Sequence, residues 1–409
     1  MDRYLVVSSD GHAGPRPELY RDYLDPKHRE TFDEHHAARL EMMELAGERL
    51  EMAQESRQWA EGKDYGLHGA WDSDRRNEII DADGIAAEIL FVDGLTEQNS
   101  PPFGGDLGMV PTGANPELQW AGARAHNRWI SEFVAQEPTR RGGLAQCLRV
   151  WGVDVAVKVF RWARAYGLGG ILLPHLWAEH APFHHPKYDP LWAACQEEGM
   201  VLHFHSGTAP MHEYFGFDVF GETGGPTAPT VEMPGALGIY VTEVAWWLVR
   251  PTVFMIWGGV FERFPQLKVS ITEGSSIWAP ELLALMDHRY DDHHFSAKLG
   301  TGYKSHLTMK PSDYFRRNVR IGSSCMSRVE AERRHEIGLG NIMWGTDYPH
   351  PEGTWPITQK MMVETFHGIP EQDIALMLGQ TAADWYGLDV EKLNAIAEKI
   401  GPEKRLFQD

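Results

Sequence analysis

Short apolar runs alternate with amphipathic, helix-like stretches along most of the chain. The runs read as strands at "YLVVSSD" (4–10), "AAEILFVD" (86–93), "GLAQCLRV" (143–150), "GGILLPH" (169–175), "MVLHFH" (200–205), "LKVSITE" (267–273), "NVRIGSS" (318–324) and "NIMWGTD" (341–347). Between them lie helical patterns such as "WGVDVAVKVFRWARAYG" and "YDPLWAACQEEG". A short, continuous apolar run marks a strand buried on both faces, and strands alternating with helices build a parallel sheet. Eight strands close a (β/α)8 barrel, so the pattern predicts an α/β TIM barrel occupying the whole chain, 1–409, as one domain.

Two connections exceed what a minimal barrel needs. Residues 14–84 carry a charged helical insertion after the first strand, and residues 206–240 form a Gly/Pro-rich loop after the fifth. Both follow strands and so belong on the C-terminal face, where barrel enzymes keep their active sites. The tail 371–409 is expected to be a helical extension packed outside the barrel. The most apolar stretch, "VAWWLVRPTVFMIWGGVF", is interrupted by Arg250 and Pro251. It predicts a buried helix, a turn and a second helix rather than a membrane span.

Charge narrows the partners. With 58 acidic against 38 basic residues the net charge is −20, a poor match for nucleic acid or an anionic membrane. The three cysteines, Cys147, Cys195 and Cys325, are far apart, and the N-terminus lacks the build of a signal peptide. Both fit a reducing cytoplasm without disulfides. Fifteen tryptophans and twenty histidines suit a deep, aromatic-walled pocket for a small-molecule substrate.

Candidate chemistry emerges when the strand ends are read together. Asp10 and His12 alternate on the first strand and share a face. Asp93, with Glu97 in its loop, ends the second; His175 ends the fourth; His203 and His205 alternate on the fifth. Glu273 ends the sixth, Ser323 and Ser324 the seventh, and Asp347 the eighth, with His350 three residues on. A barrel gathers these scattered positions at one mouth, where imidazoles and carboxylates make a metal site. His184, His185, His288, His293 and His294 fall in polar segments and read as surface or loop residues. His35 and His36 read as helix-face residues, and Asp189 as a helix N-cap.

These motifs resemble the amidohydrolase-related family, the barrel group that includes aminocarboxymuconate semialdehyde decarboxylase and resorcylate decarboxylase. The resemblance rests on the DxH of strand 1, "HFHSG", "GGVFERFPQLKVSITEGSSIWAPELL" and "GTDYPHPEGTWP", and it covers nearly the whole chain. It implies a metal at the barrel mouth, with Asp10, His12, His205 and Asp347 in the family's ligand positions. Two departures stand out: the usual HxH or ExH is DxH, and the family's strand-6 histidine is Glu273.

Three carboxylates among several histidines suit iron or manganese better than a lone zinc. The set is thus also similar to an oxidative branch of the fold, the non-haem di-iron monooxygenases of platensimycin and platencin type. On that reading two irons sit among Asp10, His12, His205, Glu273 and Asp347, with His175, His203 or His350 completing the shells. O2 and an electron donor then hydroxylate a bulky apolar substrate such as a diterpenoid intermediate. The alternative is a hydrolase or non-oxidative decarboxylase holding one zinc or manganese, with Glu273, Asp347 and His205 catalytic. Many barrels of this kind associate, so a homo-oligomer is expected.

Overall fold

The computed structural model describes residues 2–49, 66–92, 99–105, 115–148, 150, 152–176, 179–207 and 235–408. All eight expected strands form: β1 (Val7–Ala13), β2 (Ala87–Val92), β3 (Arg141–Gln146), β4 (Gly170–Leu172), β5 (Val201–His205), β6 (Lys268–Thr272), β7 (Val319–Ser324) and β8 (Ile342–Gly345). They make one sheet in sequence order, each pair of neighbours parallel. The sheet closes where β8 meets β1. The Thr346 and Asp347 amides donate to the Asp10 carbonyl at 3.2 and 3.1 Å, and Gly11 bridges Tyr348. Gly345 permits this approach, since a Cβ there would sit 2.7 Å from that of Asp10. The result is a (β/α)8 barrel.

Alternation along the strands divides the core. On β5, Leu202 and Phe204 join the large apolar layer beneath the helices. His203 and His205 face the other way, against Phe91 inside the barrel, at ring-centroid distances of 5.2 and 4.5 Å. The interior is narrower and holds Ile89, Phe91, Val92, Leu144 and Leu172. A strand buried on both faces is apolar throughout unless something inside calls for polarity; toward the C-terminal ends of β1 and β5 the exceptions are Asp10, His12, His203 and His205.

Four expectations need correction. The strand β1 begins and ends three residues later than the apolar run, because its pairing with β2 continues through His12 and Ala13. The apolar stretch does not break at Arg250–Pro251: one helix, Ala236–Trp257, runs through it. The break comes at Gly259, whose φ of 68° only glycine adopts freely. By length and composition Gly238–Trp257 could cross a membrane, but it links β5 to β6 in the barrel. Asp189 is no N-cap; it lies inside the helix Asp189–Glu197, and its carboxylate accepts from Arg263 Nη2 at 2.9 Å. Finally, the tail is helical, but it does not stay outside. Trp385 Nε1 donates to Ser270 Oγ at 3.0 Å, and Tyr386 stacks on His203 at 5.7 Å, plugging the end of the barrel opposite the site.

Of the insertion after β1, the helices Arg29–Arg49 and Ser73–Asp83 are described. Residues 50–65, 208–234 of the loop after β5, and the candidates Asp93 and Glu97 lie outside the described residues.

Candidate metal centre

The strand β1 reaches the mouth through a bulge. Between Ser8 and Gly11 it advances one residue more than β2 does. A bulge re-aims side chains, and this one turns Asp10 toward its neighbours while leaving it on the His12 side of the strand. His12 Nε2 lies 3.5 Å from Asp10 Oδ1 and 3.2 Å from Asp347 Oδ1. His205 Nε2, at the end of β5, also lies 3.5 Å from Asp10 Oδ1. Asp10, His12, His205 and Asp347 are all buried.

The tautomer of His12 decides what the space between them wants. Its Nδ1 sits 2.7 Å from the Val92 carbonyl, an acceptor, so Nδ1 carries the hydrogen and Nε2 of the neutral ring presents a bare lone pair. That lone pair faces two carboxylate oxygens. Asp10 Oδ1, His12 Nε2 and Asp347 Oδ1 are buried with no hydrogen-bond partner. Acceptors facing acceptors in a dry pocket are repulsive unless a cation sits among them. The donors fit a divalent ion: two carboxylates and two imidazoles suit manganese, iron or zinc.

The surrounding groups hold these ligands in place. Ser324 Oγ donates to Asp10 Oδ2. Glu273 Oε2 lies 3.1 Å from His205 Nδ1 and accepts from Ser206 Oγ, the carboxylate–histidine arrangement that orients a metal-bound imidazole. His350 stacks on His12 with ring centroids 3.7 Å apart, its Nδ1 3.0 Å from Asp347 Oδ1. His175 Nε2 meets the His205 carbonyl at 2.9 Å. Burial pushes His175 and His203 down to about 3, so both stay neutral.

Charge in the pocket is strongly perturbed. Burial disfavours an imidazolium at His205, yet the Glu273 and Asp10 carboxylates overcome it and lift His205 to about 9. Burial, opposed by His205 and reinforced by Asp347 and Asp10, raises Glu273 well above the usual carboxylate range. Asp347 resists burial because His350 beside it holds its carboxyl well below that range. The His205 shift records the carboxylates around it, the Glu273 shift chiefly its burial, and the Asp347 shift the imidazole beside it.

Backbone strain marks the same spots. Glu273 and Asp347 have φ of 63° and 59°, and Cys325, which follows β7, has φ of 50°. A non-glycine residue in the left-handed region costs about 1–2 kcal/mol, and such residues gather at functional sites. Three successive strands thus end in strained residues at the mouth.

Of the sequence-derived candidates, the fold brings Asp10, His12, His205, Glu273, Asp347 and His350 into three overlapping groups of potential ligands. His175 and His203 lie outside them. His175 backs the His205 backbone, and His203 sits deeper, between Phe91 and Tyr386. Sequence reasoning passed over Glu352, which joins Glu273, Asp347 and His350 in one group. Its signal was its place two residues beyond His350 in the same loop. The supports from Ser206 and the Val92 carbonyl have no sequence signal, since a hydroxyl or backbone oxygen is everywhere.

A protein-family model described as Amidohydrolase matches residues 93–388. A comparison with curated proteins gave no match. Among solved structures, an amidohydrolase from Mycobacterium avium subsp. paratuberculosis K-10 is 18% identical, with TM-score 0.64 over 94% of this chain and 99% of that one. A 5-carboxyvanillate decarboxylase from Sphingomonas paucimobilis is 20% identical, with TM-score 0.62 over 94% and 100%. A dihydroxybenzoic acid decarboxylase from Polaromonas sp. JS666, with bound manganese and 2-nitroresorcinol, is 20% identical, with TM-score 0.61 over 95% and 99%. At these identities the likeness is one of fold. Neither the family nor these neighbours support two irons, a monooxygenase, or a need for O2 and an electron donor.

Proposed function

Because the chain belongs to the amidohydrolase family and shares its fold with decarboxylases of known structure, we propose that it is a non-oxidative decarboxylase. Its substrate class is a small, hydroxylated aromatic carboxylate. The observation that carries this reading is the pocket of Asp10, His12, His205 and Asp347, in which the buried, unsatisfied acceptors Asp10 Oδ1, His12 Nε2 and Asp347 Oδ1 call for a divalent ion. Two of the structural neighbours decarboxylate aromatic acids, and one holds manganese, which makes manganese the first ion to try.

A divalent ion held by these four residues supplies the positive charge that stabilises a substrate carboxylate and a neighbouring phenolate. The chain's own groups do the rest. Phe91, fully buried in the barrel interior, packs beside His205 and His12 at 4.5 and 5.9 Å between ring centroids and gives the two imidazoles an apolar backing that holds them in place. Glu273, beside this set, is less deeply buried than its two carboxylates, its side chain 17% exposed against 0% and 1% for Asp10 and Asp347. It is placed to give up a proton toward the mouth. As the bond from ring carbon to carboxylate breaks, its electron pair stays on the ring carbon, CO2 leaves, and the Glu273 proton closes the new C–H bond. Water then returns a proton to Glu273.

The test is turnover under argon. Chelator-stripped protein reloaded with manganese is incubated with a panel of hydroxybenzoates, and CO2 and the phenol are measured. Release of both in equal amounts without O2, and none from the stripped protein, is the expected result. Turnover that needs O2, or no CO2 from any panel member, overturns the proposal.

A further inference from the structure

The carbonyl of His12 needs a donor that the sheet does not give it. In a parallel ladder the bonds to a neighbour are evenly spaced along the strand. Where the barrel closes, the Asp347 amide donates to the Asp10 carbonyl at 3.1 Å, and the His12 amide to the Tyr348 carbonyl at 2.7 Å. The next bond in that series would run from the His350 amide to the His12 carbonyl. His350 instead turns its amide back to the Asp347 carbonyl at 2.8 Å, and its ring stacks on His12. A buried carbonyl left without a donor is costly.

A side chain of the insertion after β1 fills the gap. Arg76, on the helix Ser73–Asp83, is fully buried. Its Nη1 donates to the His12 carbonyl at 2.8 Å and to the Gly69 carbonyl at 3.0 Å. Its Nε and Nη2 donate to the two Glu88 oxygens on β2 at 2.6 and 2.9 Å. The Tyr348 ring lies 5.0 Å from its Cζ. One guanidinium thus joins β1, β2 and the loop after β8 around a single proposed ligand. Gly11 makes room for it: a Cβ there would stand 3.3 Å from Arg76 Nη2 and 3.4 Å from Glu88 Oε2. A buried ion pair adds little stability over an apolar pair of the same shape, so what Arg76 and Glu88 contribute is geometry.

We propose that Arg76 is a positioning residue of the metal centre: its clamp on the His12 carbonyl fixes where His12 Nε2 points, so the insertion helix governs how tightly the pocket holds its ion. Arg76 touches neither the ion nor the substrate and acts only through His12. The role asks for arginine, whose planar fork reaches a carboxylate and a carbonyl at once; the single ammonium of lysine does not. Loss of a group that orients a metal ligand lowers affinity by about 10–100-fold. This inference rests on the pocket binding an ion as proposed above.

The experiment sets Mn2+ affinity against thermal stability in chelator-stripped, full-length protein, by calorimetric titration and by melting followed with circular dichroism. The double variant Arg76→Met, Glu88→Met replaces the buried pair with apolar side chains and removes the donor to His12. Leu393→Ala opens a cavity in the core at the opposite end of the barrel, where Leu393 is fully buried. The double variant is expected to melt no lower than Leu393→Ala, yet to bind Mn2+ weaker than wild type by about 10–100-fold. Leu393→Ala melts lower than wild type and keeps its affinity. Wild-type affinity in the double variant, or affinity that follows melting temperature in both chains, overturns the positioning role and leaves the pocket standing. Absence of Mn2+ binding in wild type overturns both. Should the double variant not fold, Arg76→Lys decides: affinity about tenfold weaker is expected, and unchanged affinity overturns the proposal.

Discussion

Glu273 occupies a position that favours function over stability. It combines a left-handed backbone, a mostly buried carboxyl and carboxylate neighbours, each a cost to the fold. Glu273→Gly removes all three. The expected outcome is a gain of about 1 kcal/mol in unfolding free energy, the relief of strain exceeding the added chain entropy, together with loss of turnover. Urea denaturation and the decarboxylation assay read the two effects separately. A second buried acid stands outside the candidate site. Asp83 accepts from Thr358 Oγ1 at 2.6 Å, but burial raises it to about 6. Its unfolded value is 3.8, so the unfolded chain ionises first as pH rises. Stability from this group is full below about pH 4, declines between about pH 4 and 6, and stays lower above, by on the order of 2–3 kcal/mol. Asp83→Asn should therefore unfold at higher temperature than wild type at pH 8 and at the same temperature at pH 4. Residue identities at the mouth were legible in the sequence because imidazoles and carboxylates at strand ends are uncommon. The His12 tautomer and the φ of Glu273 were not, since both are set by neighbours distant in sequence.

At the scale of elements, periodicity located every strand, and it erred where pairing partners rather than composition set the boundary. The bulge that aims Asp10 leaves no trace in "VVSSDGHA", because it is created by register against β2. The plug made by Trp385 and Tyr386 was equally hidden: an amphipathic helix looks the same whether its apolar side covers a barrel wall or closes its end. Loops at the mouth are tied together by one side chain. Glu330 caps the helix Arg328–Glu332 in a reciprocal box with Ser327, and its other oxygen accepts from the Ser276 amide at 2.7 Å and the Ser276 hydroxyl at 2.9 Å. The helix after β7 is thereby joined to the loop after β6, which carries Glu273. Glu330→Ala loses the box and strands buried donors on Ser276. A cost of about 2–3 kcal/mol is expected in chemical denaturation, with weaker metal binding as the loop slackens.

Over the whole molecule, the barrel performs one task that no local segment could. Asp10 and Asp347 are separated by most of the chain, yet closure between β8 and β1 sets their carboxylates around His12. Burial then removes the water that would satisfy them, so binding a cation and completing the fold are linked. The resemblance seen in the sequence pointed to this mouth. What it could not weigh was oxidative against non-oxidative chemistry, because both draw on carboxylates and imidazoles, and ligand type alone does not fix the reaction. The account stands on the inner pocket being a metal site, and the dissociation constant of Mn2+ for wild type and Asp10→Asn tests it most directly. Asparagine keeps the shape of Asp10 and the oxygen facing Ser324 while removing the charge. The account predicts tight binding by wild type and an affinity lower by about a hundredfold in Asp10→Asn. Equal affinity in the two chains would contradict it.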